Sequence, residues 1–387
     1  MKPAHLSNTK RIVFTSASVF LCLSFLILTG ELLLRIKKET IRNSDHMDPG
    51  LIQYHPHLGW KLTPNWGGRH RHYDFDVHYT TNRYGFRDDA QFTSPTPGSL
   101  HAFVGDSFAF GLGVNDDETF VHQLGSLNGS TNVYHNFSVP GYSTDQELLL
   151  IKEQVLYFSP QAIWLVVYLG NDLFDNELAF PLQAENAKPY FELAGDELAL
   201  RNSPVPLVTK PAAQQQRDLA TLVMGDDHRD HGFFSKFLNW FELYRLLKVQ
   251  LAVANDTAVP FDDGRFGYQL RLFRALMQQI NEACEHHRVQ FGLILMPGKS
   301  FVEDPQSTSA QFQGYLRAQI LEAAGEASIQ AIDLASALRE RFEERPETYF
   351  YPNEGHLTPR GHRAVAEILA PSFQQAPELS DSEFVVH

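Results

Sequence analysis

Cysteine is scarce in this chain: 387 residues hold two, Cys22 and Cys284. Cys22 falls in the most apolar stretch, so no disulfide is expected between them, and a disulfide-stapled small scaffold is excluded. Basic residues are also in short supply, with 32 Lys and Arg against 46 Asp and Glu, for a net charge of −14. No Lys/Arg run of nucleic-acid-binding size occurs, so nucleic acid is not an expected partner. The chain lacks Gly-x-Ser-x-Gly and with it the nucleophile elbow of α/β hydrolases. The run GLILMPGKS (Gly292 to Ser300) comes near a phosphate-binding loop, but five residues separate its glycines where the motif needs four. It reads as a buried strand and turn. The pairs His55/His57 and His70/His72 have no Cys or acidic frame nearby, so they read as polar residues on a strand's exposed side. Nothing calls for a metal or an organic cofactor.

Apolar residues, in contrast, make up 43% of the chain, enough for a sizeable core. The first concentration is IVFTSASVFLCLSFLILTG, Ile12 to Gly30, which carries no charge. As a helix at ~1.5 Å per residue it spans about 28 Å, close to the thickness of a bilayer's hydrocarbon. No small-x-small cleavage site follows, so residues 12–34 are expected to be an uncleaved transmembrane signal anchor after a short tail, 1–11. Lys2, Lys10 and Arg11 precede the span, and Arg35, Lys37, Lys38 and Arg42 follow it, so charge does not fix its orientation. The expectation is a single-pass protein with its large domain periplasmic or extracellular.

Residues 39–99 form a turn-rich, aromatic extension. Within it RHRHYDFDVHYTTN, Arg69 to Asn82, alternates as an edge strand or hairpin does. From Leu100 the pattern changes. Five apolar runs of strand length, LHAFVGD, NVYHNFSVPG, AIWLVVYLGND, VQFGLILMPG and IQAIDLAS, alternate with helical stretches such as Glu118–Leu127, Asp145–Leu156 and Gln269–His286. That alternation predicts an α/β domain over 100–371 with a parallel sheet covered on both faces. Functional loops are expected at the carboxyl ends of its strands. An insertion, about 173–265, holds an amphipathic aromatic helix, Phe233 to Ala254, read as core packing or as a lid or acyl-binding wall. Residues 372–387 read as a flexible tail.

The first run ends in Gly-Asp-Ser. Ser107 there is either a helix cap or a nucleophile. A nucleophile needs a base, a group to orient that base, and donors for an oxyanion. The base candidate is His356, 249 residues downstream in a loop before the last helix. Thr358 and Pro359 read as that helix's N-cap and first position. Glu354 is the carboxylate candidate. Gly141 and Asn171, each following a strand, are the candidate oxyanion donors.

The blocks GDSFAFG, VPGYSTDQ, YLGND and NEGHLTPRGH follow successive strands in this order, and together they resemble the four blocks of the SGNH hydrolases, the GDSL esterase/lipase superfamily. The resemblance covers roughly Leu100 to Ala370 and places the family's invariant positions on Ser107, Gly141, Asn171 and His356. It implies a three-layer flavodoxin-like fold with a five-stranded parallel sheet behind an N-terminal transmembrane helix. It also implies an oxyanion hole from the Ser107 and Gly141 N–H groups and the Asn171 side chain. The family usually carries Asp three residues before the His. Here that position is Asn353, and Glu354 stands two before, so Glu354 is expected to act as the acid, with Asn353 as the alternative. HLGWKLTPN and TTNRYGFRDD resemble membrane-anchored envelope members. The resemblance implies a serine ester hydrolase of small O-acyl groups, acetyl above all, on a polysaccharide or similar acylated substrate. An O-acyltransferase, a lipase-like esterase and an inactive binding protein are the alternatives.

Overall fold

The computed structural model describes residues 8–87, 100–129, 132–182, 184–195, 197–211, 261 and 263–374. The aromatic stretch Phe233 to Ala254 and residues 375–387 of the expected tail lie outside the described residues, whereas 372–374 belong to the last helix. The chain divides into two compact units. The described part of the first is one helix, α1 (Asn8–Ser44). Its residues Arg11–Ser44 are long and apolar enough to cross a membrane, with a mean hydropathy of 2.3 in the most apolar window.

The second unit opens with five short strands, β1 (His46–Met47), β2 (Ile52–His55), β3 (Gly59–Leu62), β4 (Gly67–Arg71) and β5 (Asp76–Thr80). β2 and β3 form a hairpin, and β1, β4 and β5 an antiparallel sheet. The alternation seen in the sequence is the β4–β5 hairpin: His70, Val77 and Tyr79 are buried, and Arg69, Arg71, Asp76 and His78 beside them are exposed. Of the histidines read as exposed polar positions, His70 is buried instead, and both it and His72 have partners within the hairpin. His70 Nδ1 lies 2.9 Å from the Tyr79 hydroxyl, and His72 stacks on Phe75.

The α/β core follows in the order β6 (Leu100–Gly105), α2 (Ser107–Phe110), α3 (Phe120–Asn128), β7 (Val133–Asn136), α4 (Thr144–Glu153), β8 (Ala162–Tyr168), α5 (Asp172–Asp175). A hairpin of β9 (Tyr190–Ala194) and β10 (Glu197–Arg201) comes next. Then come α6 (Asp263–His286), β11 (Gln290–Met296), α7 (Lys299–Glu303), α8 (Thr308–Glu326), β12 (Gln330–Ile332), α9 (Leu334–Glu344) and α10 (Pro359–Gln374). The five expected runs became β6, β7, β8, β11 and β12, one parallel sheet in the order β12-β11-β8-β6-β7. This is the flavodoxin-like strand order, which places ligands outside the carboxyl ends of the strands.

β6 is buried along its whole length because helices cover both faces. On α6 the buried residues Phe266, Leu270, Phe273, Met277, Ile280 and Cys284 recur at helical spacing. Each such side chain contributes roughly 1.5–3 kcal/mol by leaving water. Burial also pushes the Cys284 thiol up to about 12, so this cysteine is core. On α10, Phe373 closes the lower end of the sheet against Trp164 and Phe103, with ring centroids 4.9 and 5.7 Å away.

Candidate active site

Gly105, Asp106 and Ser107 answer to three separate demands. A Cβ on Gly105 would lie 2.8 Å from the Ala109 Cβ and 3.0 Å from the Val166 carbonyl oxygen, so only glycine lets the strand turn here against β8. Asp106 caps α2: its carboxylate accepts from the Phe108 N–H at 2.9 Å, which is the work expected of an N-cap. With the cap supplied by Asp106, Ser107 is free of that duty. The Ser107 side chain turns to the loop before α10, where its Oγ lies 2.7 Å from His356 Nε2.

His356 is held on its other side too. Its Nδ1 is 2.6 Å from Glu354 Oε1, and its backbone N–H donates to Glu354 Oε2 at 2.9 Å. Burial raises the Glu354 carboxyl, but the hydrogen bonds and charge of His356 outweigh it and hold the group below its ordinary value. The imidazole also lies against the Phe108 ring, 4.4 Å between centroids, and Phe108 stacks in turn on Tyr168 at 4.1 Å. Asn353, the alternative acid position, faces elsewhere. Its backbone N–H and side-chain Nδ2 donate to Asp74 at 2.8 and 2.7 Å, and the Glu354 N–H donates to Asp74 at 2.9 Å. Asp74 belongs to the β4–β5 turn, so the N-terminal extension clamps the loop that carries His356. Tyr351 strengthens the clamp, with its hydroxyl on the Gly113 carbonyl at 2.9 Å and its ring against Phe75. The last helix starts as expected: Thr358 Oγ1 accepts from the Gly361 N–H at 3.1 Å.

The candidate oxyanion donors come from the neighbouring strand ends. Gly141 has φ +78°, a conformation that carries a steric cost for any residue with a Cβ, and beside it the Trp60 indole donates to the Pro140 carbonyl. Among the described residues neither the Ser107 N–H nor the Gly141 N–H has an acceptor. Asn171 follows β8. Its Nδ2 donates to Asp175, and its Oδ1 is buried without a partner among the described residues. Asp175 in turn accepts from the Leu182 N–H at 2.8 Å, and burial pushes its carboxyl up to about 6.

Beneath these groups is a buried polar layer that the sequence reading missed. Burial pushes Asp106 up to about 6, against the pull of the His356 charge and of the Phe108 and Ala109 N–H groups. Glu147 and Asp172 are fully buried and held well above their ordinary values by burial, to which neighbouring carboxylates add. Neither Glu147 oxygen has a partner among the described residues. Close by, Lys188 forms a wholly buried ion pair with Asp145. These residues stand beside motif positions: Asp145 lies in the VPGYSTDQ block, Glu147 just after it, and Asp172 adjoins Asn171. Nothing local, however, marks a carboxylate for burial.

Residues 267–384 match the model of a family described as SGNH hydrolase-like domain, acetyltransferase AlgX. That span takes in Glu354 and His356 and lies downstream of Ser107, Gly141 and Asn171. No curated protein matches the chain. Similar solved structures include a lipolytic protein of the G-D-S-L family from Desulfitobacterium hafniense, at 13% identity and a TM-score of 0.38, covering 70% of this chain and 98% of that one. A catalytic mutant of an acetylxylan esterase from Geobacillus stearothermophilus matches at 12% identity and a TM-score of 0.37, over 73% and 94% of the two chains. A G-D-S-L family protein from Veillonella parvula matches at 12% and 0.35, over 72% and 99%.

Proposed function

We propose, from the flavodoxin-like sheet and the SGNH hydrolase-like match of residues 267–384, that this chain is a serine-dependent enzyme of O-acyl esters. Its expected substrates are small acyl groups, acetyl above all, on a glycan or similar envelope molecule. The observation that carries this reading is the alignment of Glu354, His356 and Ser107 through contacts of 2.6 and 2.7 Å. Those are the distances a general base needs to take a proton in one step.

In this reading Ser107 Oγ attacks the ester carbonyl carbon while His356 Nε2 accepts the hydroxyl proton. Glu354 keeps the Nδ1 proton in place and stabilises the imidazolium. The carbonyl oxygen, now negative, is met by the Ser107 and Gly141 N–H groups and by Asn171 Nδ2, each donor being worth ~3–4 kcal/mol at the transition state. The C–O bond to the alcohol breaks, and His356 returns its proton to the leaving oxygen. Water, activated by His356, then releases the acid from the acyl-serine and regenerates the hydroxyl. Buried Asp106 takes no proton in this scheme; it fixes the turn.

The family description names an acetyltransferase, and this supports a second reading in which an acceptor hydroxyl takes water's place. Both readings share the acyl-serine. The N-terminal helix supports a membrane anchor, with the catalytic unit proposed to lie outside the cytoplasm. The test is hydrolysis of p-nitrophenyl acetate and of longer-chain esters by the wild type and Ser107→Ala. A loss of at least a thousandfold in the variant is expected, with acetate preferred. Turnover that survives the substitution would refute the nucleophile, and a strong preference for long chains would refute the small acyl group. Release of free acetate against its appearance on an added oligosaccharide separates hydrolysis from transfer.

A further inference from the structure

Along the carboxyl edge of the sheet, from β7 toward β12, the strand order places Gly141 first, then Ser107, then Asn171, then the turn after β11. A groove of about 440 Å³ opens at that last position, within the ~300–1,000 Å³ range of small-molecule sites. Its rim includes Gly170 and Gly355, the residues just before Asn171 and His356. It therefore adjoins both the oxyanion side and the base side of the triad.

The groove's chemistry is specific. Gln313, 3% exposed, accepts from the Gly298 N–H at 2.8 Å. Its Nε2 donates to Ser300 Oγ at 3.1 Å and Ser309 Oγ at 3.3 Å, and the two hydroxyls are 2.9 Å apart. A buried amide thus holds two serine hydroxyls at the opening, with Ser300 donating to Ser309 and the Ser309 hydrogen left to donate outward. Paired hydroxyls of this kind suit a ligand that both gives and takes hydrogen bonds. An acyl chain would need walls of hydrophobic side chains, and among the described residues that line this groove Tyr168 is the only aromatic or aliphatic one. The charges matter as well. Lys299 stands 3.8 Å from Glu303, which leaves the exposed carboxylate of Asp304 unbalanced in the groove. A ligand carrying carboxylates would meet like charge there.

We propose that this groove receives the alcohol part of the ester, and that this part is an uncharged sugar rather than a uronate or a lipid. The proposal rests on the acyl-serine reading and adds to it the side on which the alcohol lies. His356 must hand its proton to the leaving oxygen, so the alcohol has to stand beside the loop of Gly355 and His356. The groove meets that condition. In the transfer reading the same groove holds the acceptor.

The experiment uses the full chain in detergent and three acetyl donors: acetylated xylo-oligosaccharides, acetylated oligogalacturonides and vinyl acetate. The wild type is expected to show kcat/KM at least tenfold higher for the neutral oligosaccharide than for the acidic one. Ser309→Trp, which fills the groove, is expected to lower turnover of the neutral oligosaccharide at least tenfold more than that of vinyl acetate. The double variant Ser300→Ala/Ser309→Ala removes the hydroxyls without adding bulk, and it should raise KM for the oligosaccharide alone, severalfold. Equal or better use of the acidic oligosaccharide overturns the proposal. So does a proportional change on sugar and vinyl substrates in both variants, or vinyl acetate turnover with no sugar turnover. Vinyl acetate turnover that persists in Ser107→Ala sinks the acyl-serine reading instead, and that outcome is visible independently of the groove.

Discussion

The turn that carries Ser107 and the loop that carries His356 meet at one hydrogen bond, yet they are held in different ways. The serine turn is supported from close range. Gly105 packs on β8, Asp106 caps α2, and α2 is buried throughout. The histidine loop has a short hydrogen-bonded frame, with the Tyr351 N–H on the His356 carbonyl and the Thr358 N–H on that of Tyr349. Its lateral placement, however, comes from Asp74, 279 residues away along the chain. The proposed nucleophile is thus built into the sheet edge, whereas the proposed base is positioned by a clamp outside the sheet. A substitution in the first region removes chemistry; one in the clamp misplaces it.

The sharpest break of that contrast is at the acid. Glu354→Ala should lower kcat about a thousandfold, because the imidazole loses both its orienting partner and the charge that stabilises its protonated form. Asn353→Ala should cost no more than a few fold, since its side chain faces Asp74. Hydrolysis of p-nitrophenyl acetate reads both, and equal losses would assign the acid wrongly. A smaller effect is expected one step out. Asp74→Ala should reduce kcat about tenfold with KM little changed, because misplacement by a fraction of an ångström acts on the chemical step. Asp74→Asn, which retains one acceptor oxygen, should fall between. An unchanged kcat in Asp74→Ala would mean that the loop needs no clamp.

The smallest effect concerns stability beneath the serine turn. Glu147 is held well above its ordinary carboxyl value by burial, so it favours the folded state while protonated. That contribution is complete below the unfolded carboxyl pKa and is lost as pH rises through the folded one. The wild-type Tm should therefore fall between pH 5 and pH 8, and Glu147→Gln, neutral at every pH, should fall by a few degrees less. Parallel curves for the two proteins would show that the acid is not buried in its charged range.

These contrasts also mark what could be read in the sequence. The five core strands were legible because continuous apolar runs bounded by turns have few other uses. Ser107 and His356 were legible as positions because each sits in a short motif beside a strand or helix end. Glu354 could be named because it lies two residues from its partner. Asp74 could not, since its role depends on a contact across most of the chain, and an Asp in a turn is ordinary. The β9–β10 hairpin was missed as well, although ELAGDEL centres apolar positions on a Gly-Asp turn, a recognised hairpin signal. The burial of Glu147 and Asp172 had no sequence signature, because burial of a carboxylate is decided by what packs around it.

The separation of 249 positions between Ser107 and His356 also sets an order in time. A chain leaving the ribosome presents its serine long before its histidine, and the clamp waits, complete, for a loop not yet made. On the proposed mechanism, the serine has no base until that loop is delivered and stays an ordinary alcohol. In the proposed mechanism the site is thus latent during synthesis until the loop of His356 has been made.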